Sequence, residues 1–184
     1  MPRPMTQEAL TSAFGGESMA HMRYLLSAEI AEQEGYPNVA RLFKAIAYAE
    51  QVHARNHYNR LKDLKQGMKV VAEAPFGPGN TSKNLELAIM GEEFEVTEMY
   101  PIYLEIARLQ GEKQAEISFK WALEAEKIHL ELYRKAKEFV DKGEDIPIQG
   151  YIWICSICGH TYIGQKPLEK CPVCGAPSNQ HKKY

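Results

Sequence analysis

The chain has 184 residues, a formal charge of −2 and 45% hydrophobic side chains. That length supports one sizeable core plus a small appendage, and the near-neutral charge provides no electrostatic footprint for nucleic acid or an anionic membrane. The N-terminal MPRPMTQEAL lacks the apolar run of a secretory signal, and no stretch approaches the ~20 apolar residues that span a bilayer, so a cytoplasmic location is the expectation.

Residues from about 5 to 34 carry apolar side chains at helical spacing (Leu10, Phe14, Met22, Leu25, Leu26, Ile30). Gly35-Tyr36-Pro37 interrupts the pattern, and Pro37 suits the first turn of a second helix. That helix is expected to reach about Leu64, with Val39, Leu42, Phe43, Ile46, Ala49, His53 and Leu61 facing inward. Lys65 to Asn80, with its APFGPG run, reads as a loop. Thr81 or Ser82 can cap a third helix running to Gln110, Gly111 breaks it, and a fourth helix runs to about Val140. Short turns at Gly35 and Gly111 make two antiparallel hairpins. The connection between them could extend about 50 Å, enough to run back along the bundle. One long crossover between two helical hairpins is the ferritin-like, all-α four-helix arrangement. Residues 141–150 read as a linker and Tyr151–Ile154 as a short strand in an otherwise turn-rich tail. The expected division is a helical bundle over 1–145 and a small metal-stapled β/loop domain over 146–184.

The hairpins are copies of one unit. Glu17 aligns with Glu92 at an offset of 75, whereas Tyr24 aligns with Tyr100, Glu50 with Glu126 and His53 with His129 at 76. One extra residue therefore lies between Glu92 and Tyr100, and the expectation is that a π-bulge absorbs it, unless Pro101 itself distorts the helix.

Residues three apart share a helix face, so Glu50 with His53, and Glu126 with His129, each aim a carboxylate and an imidazole at one place. A lone Glu-x-x-His is ordinarily a solvated pair. Two at matching repeat positions, near apolar stripes and each preceded by a Glu (Glu17, Glu92) on another helix, point instead to a pair of metal ions. Cations are the natural compensation for several buried carboxylates. Oxygen-rich ligation with two imidazoles suits iron or manganese better than copper and leaves zinc open. His21 and His57 read as neighbours of the ligands rather than ligands, and Glu93 and Glu98 as solvated charges.

All four cysteines fall in the tail, as Cys155-x-x-Cys158 and Cys171-x-x-Cys174. Two such knuckles supply four thiolates to one tetrahedral ion, zinc or iron on spacing alone.

The motifs GES-M-A-H-M-R-Y around Glu17, AEQVH, GEEFE, AEKIH and CxxCG…CPxCG together resemble the rubrerythrin family over the whole chain. The resemblance implies a non-haem di-iron peroxidase that reduces hydrogen peroxide, with two iron ions in the bundle and a redox-active iron on Cys155, Cys158, Cys171 and Cys174 in a rubredoxin-like domain. It adds Glu95 as a seventh ligand, one that a single iron exchanges for His53 on reduction. It also assigns Tyr24 and Tyr100 as hydrogen-bond donors to ligand carboxylates. Rubredoxin or an NAD(P)H-dependent reductase is implied as electron donor, and a homodimer, in some members helix-swapped, as the assembly. A ferroxidase, an oxidase, or a protein with two structural zinc sites are the alternatives.

Overall fold

The computed structural model describes every residue except Asp63, Lys65 and Gln66. Helices α1 (Pro4–Gln33) and α2 (Pro37–Arg60) form the first hairpin. The second hairpin begins with α3 (Thr81–Phe94), passes through a π-helical segment (Glu95–Met99) into α4 (Tyr100–Gln110), and returns as α5 (Lys113–Val140). The expected single third helix is thus interrupted where the repeat carries its extra residue. Gly111, at φ 73°, takes the left-handed conformation that ends α4.

Two helix ends differ from expectation. α2 stops at Arg60 rather than Leu64, because the Leu61 N–H bonds to Tyr58 O and tightens the last turn. α3 is capped by Asn80 rather than Thr81 or Ser82: the Asn80 side chain accepts from Lys83 N–H at 2.9 Å, while Thr81 N–H is taken by Glu34. The crossover between hairpins passes over α1 at Gly15, where a Cβ would fall 2.5 Å from Val70 Cγ1. Its expected start at Lys65 lies outside the described residues.

The core has two apolar clusters. One gathers Tyr24, Phe43, Ile46, Leu85 and Tyr133. The other gathers Leu10, Leu61, Tyr100, Leu104 and Phe119. On α1, α2, α3 and α5 the acidic and histidine candidates fall between residues of these clusters: Glu17 between Ala13 and Ala20, Glu50 and His53 between Ala49 and Leu61, Glu92 between Ala88 and Tyr100, Glu126 and His129 between Leu123 and Tyr133. Small alanines line much of the interior, while Met22 and Leu26 of the apolar pattern in α1 face outward.

The segment 141–150 is pinned rather than free. Asp145 accepts from Asn38 N–H at 2.8 Å and Val39 N–H at 3.1 Å, placing an anion at the N-terminus of α2. Ile146 is buried in the helical core. Strands β1 (Tyr151–Cys155), β2 (Thr161–Gly164) and β3 (His181–Lys183) form an antiparallel sheet in the order β2-β1-β3, with Tyr151 opposite Gly164 and Cys155 opposite His181. Ile152 and Ile154 of β1 join the helical core, which seats the sheet on the bundle. Among the described residues, no helix is long and apolar enough to cross a membrane.

Candidate metal centres

Two four-residue groups converge inside the bundle. Glu17, Glu50, His53 and Glu126 place ligand atoms within 4.8 Å of one another, as do Glu50, Glu92, Glu126 and His129. Glu50 and Glu126 belong to both groups, so they bridge two positions, each closed by one further carboxylate and one imidazole. All six side chains are at most 1% exposed. His53 Nδ1 lies 2.9 Å from Glu50 and 2.7 Å from Glu126, and His129 Nδ1 lies 2.6 Å from Glu126 and 3.3 Å from Glu50.

Without a cation this cluster is electrostatically costly. Burial, followed by repulsion from Glu126, raises the Glu17 pKa to about 8 against the attraction of His53. Burial and the neighbouring carboxylates likewise hold Glu92 and Glu95 well above the usual range. Burial would also raise Glu126, but His53 and His129 outweigh it and hold Glu126 low. Burial opposes charge on His129, yet Glu50 and Glu126 lift it to about 10. Among the described residues, Glu17 Oε2 and Glu92 Oε2 are buried with no hydrogen-bond partner, while Glu50 Oε1 and Glu126 Oε1 meet only the imidazoles of His129 and His53. Orphaned carboxylate oxygens around two convergent points are the donor set a pair of hard to borderline cations requires.

Tyr24 Oη donates to Glu92 Oε1 at 2.7 Å, and Tyr100 Oη donates to Glu17 Oε1. Each tyrosine thus crosses to the carboxylate of the other repeat. Glu95 stands apart. It sits half-buried on the π segment, its carboxyl facing the buried glutamates without joining either convergent group. It also lines a cavity bounded by Gly16, Arg23, Pro75, Met90 and Phe94. His21 and His57 are not among the convergent atoms: His21 Nδ1 bonds Ala47 O, and His57 lies between Tyr100 and Ser118. Glu93 is exposed and paired with Arg134 at 2.7 Å, and Glu98 is exposed.

In the tail, Cys155, Cys158, Cys171 and Cys174 also converge within 4.8 Å. The 3.6 Å Cys155–Cys174 and 3.5 Å Cys158–Cys171 separations are far beyond a disulfide and close to the ~3.8 Å edge of a thiolate tetrahedron with ~2.3 Å metal–sulfur bonds. The knuckles match, with Gly159 N–H on Cys155 O at 2.9 Å and Gly175 N–H on Cys171 O at 2.8 Å. Trp121 of α5 packs against this cluster.

Sequence spacing gave no sign that the two centres touch. His129 Nε2 lies 2.8 Å from Thr161 Oγ1 of β2, and Asn56 Nδ2 donates to Ile157 O at 2.8 Å. Arg55 donates to Ser156 O. Gly159, at φ 84°, abuts His53: a Cβ there would fall 2.0 Å from His53 Nε2. Nothing in the residues of segment 141–150 specified the docking.

A four-helix bundle with a duplicated Glu/Glu-x-x-His site, joined to a four-cysteine domain, defines a ferritin-like di-iron protein with a rubredoxin-like appendage. The family model described as Rubrerythrin matches residues 8–137, and that of the rubrerythrin rubredoxin-like domain matches 153–182. Rubrerythrin-2 of Clostridium acetobutylicum is 50% identical over 180 residues, covering 98% of this chain and 97% of its own. Nigerythrin of Nitratidesulfovibrio vulgaris is 32% identical over 179 residues, covering 97% of this chain and 86% of its own. A solved structure of fully reduced, all-ferrous nigerythrin superposes with a TM-score of 0.85 at 32% identity, covering 100% of this chain and 89% of that one. The chain belongs to the rubrerythrin family. Its carboxylate/histidine cluster and four-cysteine cluster correspond to that family's di-iron and rubredoxin-like iron sites.

Proposed function

We propose that this protein is an oxidoreductase that reduces hydrogen peroxide to two waters at the bundle site, consuming two electrons and two protons. Glu17, Glu50, His53, Glu92, Glu126 and His129 would hold the iron pair, Glu95 would serve as an exchangeable seventh ligand, and the four cysteines would hold the third iron. When bound, the pair supplies the two electrons and Lewis acidity toward both peroxide oxygens.

The chain's own residues do the rest. Tyr24 and Tyr100 fix one oxygen each of Glu92 and Glu17 and leave the others turned inward. The cavity beside Glu95 is the way in for a peroxide-sized molecule. Thr161 bonds His129, whereas among the described residues His53 Nε2 has no partner. His53 is therefore the imidazole freer to give way, and Glu95, poised outside the convergent group, is the carboxylate to replace it. The observation that carries the reading is the contact of the cysteine domain with both ligand histidines, which suits delivery of electrons one at a time. We further propose rubredoxin or an NAD(P)H-dependent reductase as the donor to the cysteine site, a homodimer as the working assembly, and the cytoplasm as location, where four free thiols remain reduced. We also propose the domain division at 145/146.

Rapid mixing of the reduced, iron-loaded protein with peroxide or with oxygen tests the activity. Peroxide is expected to oxidise it much faster, and the reverse ranking would establish an oxidase instead.

A further inference from the structure

The two halves of the bundle differ in what stands behind each ligand-bonded tyrosine. The offset of 76 that pairs Tyr24 with Tyr100 also pairs His57 with Tyr133. On the Glu92 side, Tyr24 packs against Tyr133 with ring centroids 5.2 Å apart, and the buried Tyr133 hydroxyl has no partner among the described residues. On the Glu17 side, His57 is fully buried, with Nε2 3.1 Å from Tyr100 Oη and Nδ1 2.9 Å from Ser118 Oγ.

Donor counting fixes the direction of this chain. Tyr100 has one hydroxyl proton and gives it to Glu17 Oε1. Its oxygen can therefore only accept from His57, so Nε2 carries the ring proton. Nδ1 of the neutral ring is then a lone pair, which accepts from Ser118. Ser118, His57 and Tyr100 form a row of donors all pointing at Glu17, and such rows polarise one another. Among the described residues, Tyr24 has no donor behind it.

We propose that His57 is a positioning residue of the di-iron site: by donating to Tyr100 Oη it orients and strengthens the hydrogen bond from Tyr100 to Glu17, making the Glu17 half of the site a poorer electron donor to its cation than the Glu92 half. A carboxylate oxygen that accepts a stronger hydrogen bond has less charge to give, so this half favours the reduced ion. The consequence for peroxide turnover rests on the function proposed above, but the inequivalence of the two halves does not.

Two readouts independent of turnover test it. In the zinc-loaded, full-length protein, nitrogen-15 NMR of the histidines should show His57 as the Nε2–H tautomer, and an Nδ1–H tautomer overturns the proposal. In the iron-loaded protein, His57→Leu should lower the reduction potential of the helical centre by about 59 mV, a tenfold shift in a one-electron equilibrium. The rubredoxin-like centre should be unchanged. His57→Gln, whose amide N–H can stand where Nε2–H stood, should recover most of the shift. An unchanged potential in His57→Leu, or equal loss in both variants, overturns the proposal. The tautomer measurement needs no variant, so it decides even if His57→Leu does not fold. Wild-type protein inert to peroxide would refute the activity and leave both readouts on His57 standing.

Discussion

Replacing Gly159 by alanine should separate the two metal centres. Gly159 and Gly175 follow equivalent knuckles at φ 84° and 76°, so either substitution costs about 1–2 kcal/mol for a left-handed L-residue. Their surroundings differ. At Gly175 a Cβ meets nothing within 4 Å, whereas at Gly159 it would lie 2.0 Å from His53 Nε2 and 2.6 Å from Cδ2. Reaching an ordinary contact of about 3.4 Å requires a displacement of about 1.4 Å, which a close-packed interface resists at a further ~1–3 kcal/mol. The knuckle can relieve this only by lifting away from α2, loosening the Asn56–Ile157 and His129–Thr161 hydrogen bonds. Both variants should keep the visible spectrum of an iron–tetrathiolate site. In stopped-flow experiments, Gly159→Ala should re-reduce its helical centre more slowly by up to about 10²-fold, the scale that a 1 Å misplacement of reacting groups can reach. Hydrogen exchange should rise at residues 156–161. Gly175→Ala should do neither. Identical re-reduction rates and exchange in the two variants would refute the docking of the cysteine domain on its own chain's bundle.

Cys171→Ser should abolish the tetrathiolate absorption yet leave a single oxidation of the reduced helical centre by peroxide intact, with only later turnovers failing; loss of that first oxidation would contradict the division of labour. The metal-free protein should lose stability as pH rises. Glu17, shifted from 4.5 to about 8 by burial, keeps a proton that the unfolded chain releases, so its contribution is complete below 4.5 and lost through 8. His129, lifted from 6.5 to about 10 by Glu50 and Glu126 against burial, acts in the same direction above 6.5. Melting temperatures of metal-free protein should therefore fall from pH 5 to 9 and those of iron-loaded protein much less, and a flat metal-free profile would refute this account. Tyr133→Phe removes a buried hydroxyl without a partner and should stabilise the protein by about 1 kcal/mol in urea unfolding; a loss of that size would mean the hydroxyl is bonded.

The convergent acidic and histidine set was legible because duplication repeats it. Any one Glu-x-x-His is unremarkable, but the coincidence of Glu17, Glu50 and His53 with Glu92, Glu126 and His129 is not, and the structure brings all six together. Helix spans were legible to within a few residues, since Pro37 and Gly111 punctuate the chain. What escaped depended on contacts distant in sequence. Asn80 rather than Thr81 caps α3, and the Thr81 N–H in its first turn is met by Glu34, a residue far along the chain. Asp145 looks like a linker residue until it meets the N-terminus of α2. Strands β2 and β3 are 4 and 3 residues long, too short for alternation to show. Thr161 bears no motif at all, yet holds His129.

The π segment at Glu95–Met99 has a consequence for the two-fold framework of the site. Upstream of it the repeats align at 75, and downstream at 76. The wider turn swallows the additional residue within five positions, and Tyr100 emerges in register with its counterpart Tyr24, still bonded to a carboxylate. One extra residue in the second hairpin is therefore accommodated with the tyrosines on both sides of the two-fold framework still in matching positions. Glu95 has no acidic counterpart in the first repeat, where Met19 and Ala20 stand at the two offsets, so the asymmetry between the hairpins is confined to one turn.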